Sequence, residues 1–226
     1  RWTKAQKQRL CDSRWALTRQ LSNAIKAATQ PPALFISGSA IGVYGRQQAQ
    51  LIDEDFDQFY PEFASSLCKT WEQLALAAQS DRTRVCLLRT GIVLANHAGA
   101  LKKMLPAFKA GLGGRIGDGQ QYMSWIHLDD MVALIDFLLH NTTVQGAVNA
   151  TAPEPVTNAE FSQQLGAALQ RPAVLPMPGW VLKLVLGEMA DLLLTGQRVI
   201  PTNLLKAGFE FQFNTLKPAL KALQAT

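Results

Sequence analysis

The residues best suited to chemistry fall in three short runs. The first is Ser37-Gly38-Ser39-Ala40, with Val43-Tyr44-Gly45 just after it. A hydroxyl held beyond the end of a buried strand can hydrogen-bond a substrate oxygen as charge develops there. Tyr44 can face the same space from the loop or pack beneath it. The second run is Arg89-Thr90-Gly91, which also ends an apolar stretch. The third holds Gln120, Tyr122, Trp125 and His127 and leads into Asp129-Asp130. An unperturbed histidine titrates at about 6.5 and can carry a proton near neutrality, or it can simply orient the next helix. Gln120, Tyr122 and Trp125 either line a polar pocket or form a hairpin packed on the core. One aspartate suits a helix cap and the other solvent. Cys11, Cys68 and Cys86 lie far apart without metal-ligand spacing, so no metal site is expected.

These runs need a rigid frame. Residues 33–37, Ala-Leu-Phe-Ile-Ser, are continuously apolar at the start, as in a strand buried on both faces. Residues 84–95 hold a second such run, Val85 to Leu88, continuing past Gly91 into Ile92-Val93-Leu94. Residues 146–150 suit a short strand. A helix is expected over 4–28, with Leu10, Leu17, Leu21, Ala24, Ile25 and Ala28 on one face and Pro31-Pro32 ending it. A second spans 62–79, where Phe63, Leu67, Trp71, Leu74 and Ala78 recur at three and four. Further helices are expected over 99–111, from Asp129 or Asp130 to about Asn141, and from the Thr157–Glu160 capping box to about Gln170.

Helices alternating with buried strands imply parallel pairing through crossovers. The fold class is therefore α/β: the C-terminal part of a Rossmann-type doubly wound parallel sheet, residues 1–171, followed by a smaller mixed α+β lobe, residues 172–226. Ligands of such sheets lie beyond the carboxyl ends of the strands. Ser39 and Thr90 open onto one crevice if Phe35 and Leu87 lie in adjacent strands. Five glycines between Gly111 and Gly119 predict a flexible loop, and Phe209-Glu-Phe211-Gln-Phe213 is strand-like by period.

At 48% hydrophobic and 17% charged, the 226-residue chain is a folded one. Its net charge of +5 sits in one place. The first thirty residues carry seven Lys/Arg and one acid, a local +6, leaving about −1 for the remainder. A solvated helix face explains this, and without an aromatic series no nucleic acid partner is expected. Trp180 to Leu194 is interrupted by Lys183, Glu188 and Asp191 and is too short to span a bilayer, so no membrane partner is expected either. Three scattered cysteines and no leader pattern suit a reducing, cytoplasmic setting.

The string Leu34-Phe-Ile-Ser37-Gly-Ser39-Ala-Ile-Gly-Val-Tyr44-Gly45 resembles the strand-and-serine segment of extended short-chain dehydrogenases/reductases. Leu87-Leu-Arg89-Thr90-Gly91-Ile-Val93 resembles that superfamily's sixth strand, and Trp125-Ile-His127-Leu-Asp129-Asp130 its Ile-His-Val-Asp-Asp segment. Together with Arg1-Trp2, Trp71-Glu72 and Gly114-Arg-Ile-Gly117, the set is similar to the sugar-nucleotide-epimerase-like (NAD-dependent epimerase/dehydratase) branch, which carries a C-terminal domain of unknown function.

The resemblance covers essentially the whole chain. It implies NADP or NAD as cofactor and a small polar or nucleotide-sugar-like substrate. It implies Ser39 as the catalytic serine; Ser37, Gly38, Arg89, Thr90 and Gly91 near the cofactor; and Tyr44, Gln120, Trp125 and His127 near the substrate. A homodimer packing 4–28 and 62–79 across a two-fold axis is a further implication, although Trp15, Leu17 and Leu21 equally suit an intrachain core.

Two departures stand out. The superfamily opens with a strand and a Gly-x-x-Gly-x-x-Gly turn that holds the cofactor pyrophosphate on a helix N-terminus. Here the chain begins at Arg1-Trp2 and runs straight into a helix, as if inside a domain. The Tyr-x-x-x-Lys pair is also missing: Glu62 stands at the tyrosine position and Ser66 at the lysine position. An NAD(P)-dependent oxidoreductase- or epimerase-like protein is the leading expectation. The alternative is a non-catalytic binding or regulatory protein that kept the fold and lost the chemistry.

Overall fold

The computed structural model describes residues 1–224. In chain order it runs α1 (Lys4–Ala27), β1 (Leu34–Ala40), a 3-10 turn (Ile41–Tyr44), β2 (Leu51–Ile52), α2 (Phe63–Leu76), β3 (Arg84–Thr90), β4 (Ile92–Leu94), α3 (Gly99–Lys109), β5 (Tyr122–Met123), β6 (Trp125–His127), α4 (Leu128–His140) and β7 (Gly146–Ala150). It continues through β8 (Val156–Thr157), α5 (Asn158–Ala168), α6 (Gly179–Leu186), a 3-10 turn (Gly187–Ala190), α7 (Asp191–Leu194), β9 (Arg198–Val199), α8 (Thr202–Lys206) and α9 (Leu216–Ala222).

The three apolar runs become one parallel sheet in the order β1-β3-β7. Ser37 lies opposite Leu87, Ser39 opposite Arg89, and Arg89 opposite Asn149. On one face Phe35, Val85 and Leu87 pack against Ile25, Ala75 and Ala78 of the first two helical segments. On the other, Cys86, Leu88 and Val148 meet Leu134 and Leu138 of α4 together with Leu204, Phe209 and Phe211. The edge of β7 is closed by side chains: Asn203 Nδ2 donates to the Ala147 carbonyl at 3.1 Å, and the Asn149 N–H donates to Glu54 Oε1 at 2.9 Å. The outer edge of β1 has no strand beside it among the described residues.

Residues 84–95 do not form one continuous strand. At Gly91 the chain leaves the sheet, its N–H donating to the Ala150 carbonyl and that of Ile92 to the Ser124 carbonyl. β4 then pairs in parallel with β6. Only glycine fits at this step, because a Cβ on residue 91 would strike the Ser124 carbonyl.

The amphipathic stripe of α2 is not its most buried face. Phe63, Leu67, Trp71 and Leu74 are half-buried, and the fully buried positions are Ser65, Cys68, Glu72 and Ala75. Trp71 lies toward α1, its Nε1 donating to Thr18 Oγ1, and the Leu67 and Leu74 carbonyls accept from Trp15 Nε1 and Ser22 Oγ of the same helix, while the Leu67 side chain packs with Val43 and Tyr44. α1 correspondingly buries Cys11, Thr18 and Ser22 and leaves Leu17 57% and Leu21 45% exposed. Leu17 and Leu21 are therefore not intrachain core.

The last fifty residues pack on the body through Phe213, Leu216, Ala219 and Leu220, which join Trp125, Phe161, Leu165, Leu101 and Phe108. Phe209, Phe211 and Phe213 alternate buried with exposed neighbours as expected, yet they form no strand. Their backbone is tied instead to the buried Asp130 carboxylate, which accepts from the Gln212 N–H at 2.7 Å and the Phe213 N–H at 3.1 Å. The glycine-rich segment is likewise not loose. Its backbone runs beside 175–177, with Leu175 N–H donating to Gly113 O, Met177 N–H to Arg115 O and Gly117 N–H to Met177 O. Its glycines permit close approach: a Cβ on Gly114 would strike the Leu175 carbonyl.

Candidate functional site

Ser39 nearly ends β1, and its Oγ donates to Glu72 Oε1 at 2.7 Å. Glu72 reaches it because Ser65, Cys68, Glu72 and Ala75 recur at helical spacing on the sheet-facing side of α2. Arg89, opposite Ser39 in the ladder, grips the same carboxylate through Nε at 2.9 Å and Nη2 at 2.8 Å. The fork geometry is the bidentate one that makes arginine–carboxylate pairs strong. Both side chains are 8% exposed. A carboxylate clamped by a guanidinium offers only lone pairs, so the single Ser39 proton points at Glu72. Toward any other neighbour Ser39 acts as an acceptor.

The network continues across the sheet. Arg89 Nη1 donates to Tyr44 Oη at 3.0 Å, and Tyr44 Oη lies 2.8 Å from Asn149 Oδ1 and 3.1 Å from the Asp53 carbonyl. The phenol has one proton, and the shorter contact takes it. Tyr44 is fully buried and stacked on Phe59 at 5.8 Å between centroids. Burial pushes its pKa up to about 12, against the opposing pull of Arg89 and Asn149. Burial pulls Arg89 downward, but hydrogen bonds and charge from Glu72 and Tyr44 outweigh it, and the net direction is up. The Cys68 thiol, beside Ser39 and Glu72, is pushed up to about 11 by burial first and the Glu72 charge second.

Ser39, Arg89 and Tyr44 are thus brought into one buried cluster; Gly38, Thr90 and Gly91 lie toward the same ends of β1 and β3, and Ser37 sits at the middle of β1 opposite Leu87. Ser37 is buried with only a long 3.4 Å contact to the Gly38 carbonyl. Gly38 is exposed at the open edge, beneath the Trp71 ring. Thr90 is half-exposed, its hydroxyl 3.3 Å from the Leu88 carbonyl. The third run is dispersed. Gln120 is exposed at a turn. Trp125 is wholly inside the core with Nε1 donating to the Glu154 carbonyl. His127 is the N-cap of α4, its Nδ1 accepting from the Asp129 N–H at 3.2 Å. Its ring lies 4.2 Å from Phe213, and burial holds its pKa below the ordinary value against the pull of Asp129 and Asp130. With Nδ1 an acceptor, the proton sits on Nε2, which is buried without a partner.

Glu72 and Asn149 escaped the sequence reading of the site, although an acid four residues after Cys68 on a face of small side chains was a signal. Glu62, at the position of the superfamily's tyrosine, is occupied by Arg46, whose Nη2 lies 3.0 Å from Glu62 Oε2 and 3.1 Å from Asp191 Oδ2. For a dinucleotide the fit is partial. Gly38, Ala40 and Thr90 leave the carboxyl ends of β1 and β3 accessible. The spacing Gly-x-x-Gly-x-x-Gly does occur at Gly111, Gly114 and Gly117, but it follows a helix, faces residues 175–177 and opens no helix. The described residues therefore hold no strand–turn–helix unit to grip a pyrophosphate. No group of three or more His, Cys, Asp or Glu among them is placed to hold a metal, and no helix is long and apolar enough to cross a membrane.

A parallel sheet with helical crossovers and a buried polar cluster toward its carboxyl end has the architecture of a Rossmann-like protein. Residues 1–150 match the family described as NAD dependent epimerase/dehydratase, and residues 177–223 match a domain of unknown function, DUF1731. The chain belongs to the NAD dependent epimerase/dehydratase family. An epimerase family protein of Mycobacterium leprae is 46% identical over 97% of this chain and 71% of its own length. A homologue from Arabidopsis thaliana, described as chloroplastic, is 40% identical over 99% of this chain and 64% of its own. Among solved structures, human epimerase family protein SDR39U1 with NADPH is 37% identical at a TM-score of 0.95, covering 100% of this chain and 76% of that one.

Proposed function

We propose that the chain is an NAD(P)-dependent oxidoreductase- or epimerase-type protein acting on a small polar, nucleotide-sugar-like substrate. The observation that carries this reading is the β1–β3 register, which sets the buried Ser39 beside Arg89 and the partly exposed Ala40 beside Thr90 at the carboxyl end of the sheet. The NADPH in the human relative supports NADP over NAD. A nicotinamide supplies hydride transfer when bound. What this chain contributes is orientation: Gly38, Thr90 and Gly91 border the crevice, and Ser39 is the catalytic candidate, offering lone pairs to a ligand N–H or O–H. The division at about residue 172 is supported by the separate match over 177–223, a homodimer through α1 and α2 by the exposed Leu17 and Leu21, and a cytoplasmic location by the three free, buried cysteines.

A non-catalytic nucleotide-binding protein is the second reading. It is favoured by Glu62 and Arg46 standing where a proton relay would be needed. Fluorescence titration of NADPH and NADH into the protein as its gene encodes it tests both. NADPH binding is expected. Absence of binding to either nucleotide would retire the first reading, and binding without hydride transfer to any carbonyl or nucleotide-sugar substrate would favour the second.

A further inference from the structure

Residues 178–195 make a helical hairpin of α6, a 3-10 turn and α7 that little apolar burial holds in place. Of these described residues Ala190 alone is buried, and α6 and α7 have no buried position. Trp180, Leu184, Val185 and Leu192 keep more than half of their surface in solvent. Helices this short do not persist alone in water, so ties to the body must hold them.

Both flanks are fixed. Before the hairpin, the Met177 N–H donates to the Arg115 carbonyl at 2.8 Å. After it, the Gly196 carbonyl accepts from the Gln47 N–H, Gln197 Nε2 donates to the Gly45 carbonyl at 2.7 Å, and a Cβ on Gly196 would strike the Tyr122 carbonyl. Between the flanks the ties are mostly charged. Lys7 Nζ reaches both Glu188 oxygens, at 2.7 and 2.6 Å. Arg46 Nη2 reaches Asp191 Oδ2 at 3.1 Å while holding Glu62 Oε2 at 3.0 Å. Arg1 donates to the Leu184 and Val185 carbonyls near the end of α6. Gln121 Nε2 adds a neutral tie to the Leu193 carbonyl at 2.8 Å.

Beneath the hairpin, Glu188, Asp191 and Leu192 close over Trp2, Glu62 and Phe63 around a cavity of about 30 Å³, room for about one water. The paired side chains are 28–49% exposed, so dissolved ions reach and weaken them. A seat made by apolar burial would not loosen in this way. Arg46 serves two carboxylates, so releasing Asp191 leaves it paired with Glu62 and strands no charge.

We propose that residues 178–195 are a strap that detaches as one unit from the amino ends of α1 and α2. Lys7–Glu188 and Arg46–Asp191 are its latches, and ionic strength sets how often Glu62 and Phe63 are uncovered. The device does not depend on which ligand the protein binds.

Hydrogen exchange of the protein as its gene encodes it, read by mass spectrometry from about 20 mM to about 500 mM sodium chloride, tests the strap. With each exposed pair shifting the opening equilibrium about two- to fivefold, peptides within 178–195 should exchange about four- to twentyfold faster at high salt. Asp191→Asn and Glu188→Gln should each raise their exchange about two- to fivefold at low salt, and the double variant should lose most of the salt response. Asp136→Asn, which removes an exposed carboxylate beside His140 on α4, should change nothing. Peptides of β1 and β3 should keep their rates in every variant, which separates opening of the strap from loss of the fold. Salt-independent exchange of 178–195 in the wild type, or exchange that accelerates together with β1 and β3, would overturn the strap.

Discussion

Glu72→Ala is the most informative single perturbation of the sheet. Glu72 and Arg89 are each 8% exposed and joined by two hydrogen bonds of 2.9 and 2.8 Å. Removing one partner of such a pair strands a charge and costs about 3–5 kcal/mol. The Ser39 hydroxyl also loses its acceptor, adding about 1 kcal/mol. Tyr44 still accepts from Arg89, which moderates the sum to about 4 kcal/mol. For a chain of this length that corresponds to a fall in Tm of about 8–16 °C. The double variant Glu72→Leu/Arg89→Met should recover most of the loss, because well-packed apolar replacements of buried pairs are near neutral. Urea unfolding followed by far-ultraviolet circular dichroism of the wild type, Glu72→Leu, Arg89→Met and the double variant gives all four corners of the cycle. A cost for Glu72→Ala below about 1 kcal/mol, the range of exposed pairs, would refute the view of a buried, tightly coupled cluster.

Because the Tyr44 phenol is held up to about 12 in the folded chain against an ordinary 10.0, stability should be intact below 10 and fall as pH rises between those values. Tyr44→Phe should remove the latest step of the phenolate absorbance titration, and its persistence would show that another tyrosine is the buried one. Burial lowers the His127 pKa, so its contribution is present above the ordinary 6.5 and lost as pH falls below that toward the folded value. His127→Asn keeps a cap acceptor without a titrating group, and should flatten the urea midpoint between about pH 5 and 7. Gly114→Ala should destabilise by several kcal/mol, since its Cβ meets fixed backbone at Leu175, and should hasten tryptic cleavage at Arg115. Gly146→Ala, with φ +73° and nothing within 4 Å, should cost only about 1–2 kcal/mol. The reverse order in chemical denaturation would contradict the packing at Gly114.

The strands were legible because a run such as Leu34 to Ile36 or Val85 to Leu88 can be apolar on both faces only inside a covered sheet. The helices were legible by period, but the periodic residues of α2 are not its most buried ones. Phe63, Leu67, Trp71 and Leu74 stay half-buried, Trp71 against α1 and Leu67 against Val43 and Tyr44. The sheet-facing side is made of Ser65, Cys68 and Glu72, which no hydrophobic count selects. Ser39, Tyr44 and Arg89 were correctly grouped as polar residues near strand ends. That they satisfy one another through Glu72 depends on side-chain reach across the sheet, which spacing along the chain does not encode. The glycines of 111–119 illustrate the same limit: small size permits close packing as readily as freedom, and only the position of residues 175–177 decides between them.

The bare margin of β1 has a consequence for handling the molecule. One side of β7 is quenched by Glu54 and Asn203, but among the described residues no strand pairs with the outer margin of the seven-residue β1. Such a margin recruits any extended segment of similar length, including the same margin on a neighbouring molecule. In a larger sheet the same margin is the seam at which the next strand is stitched.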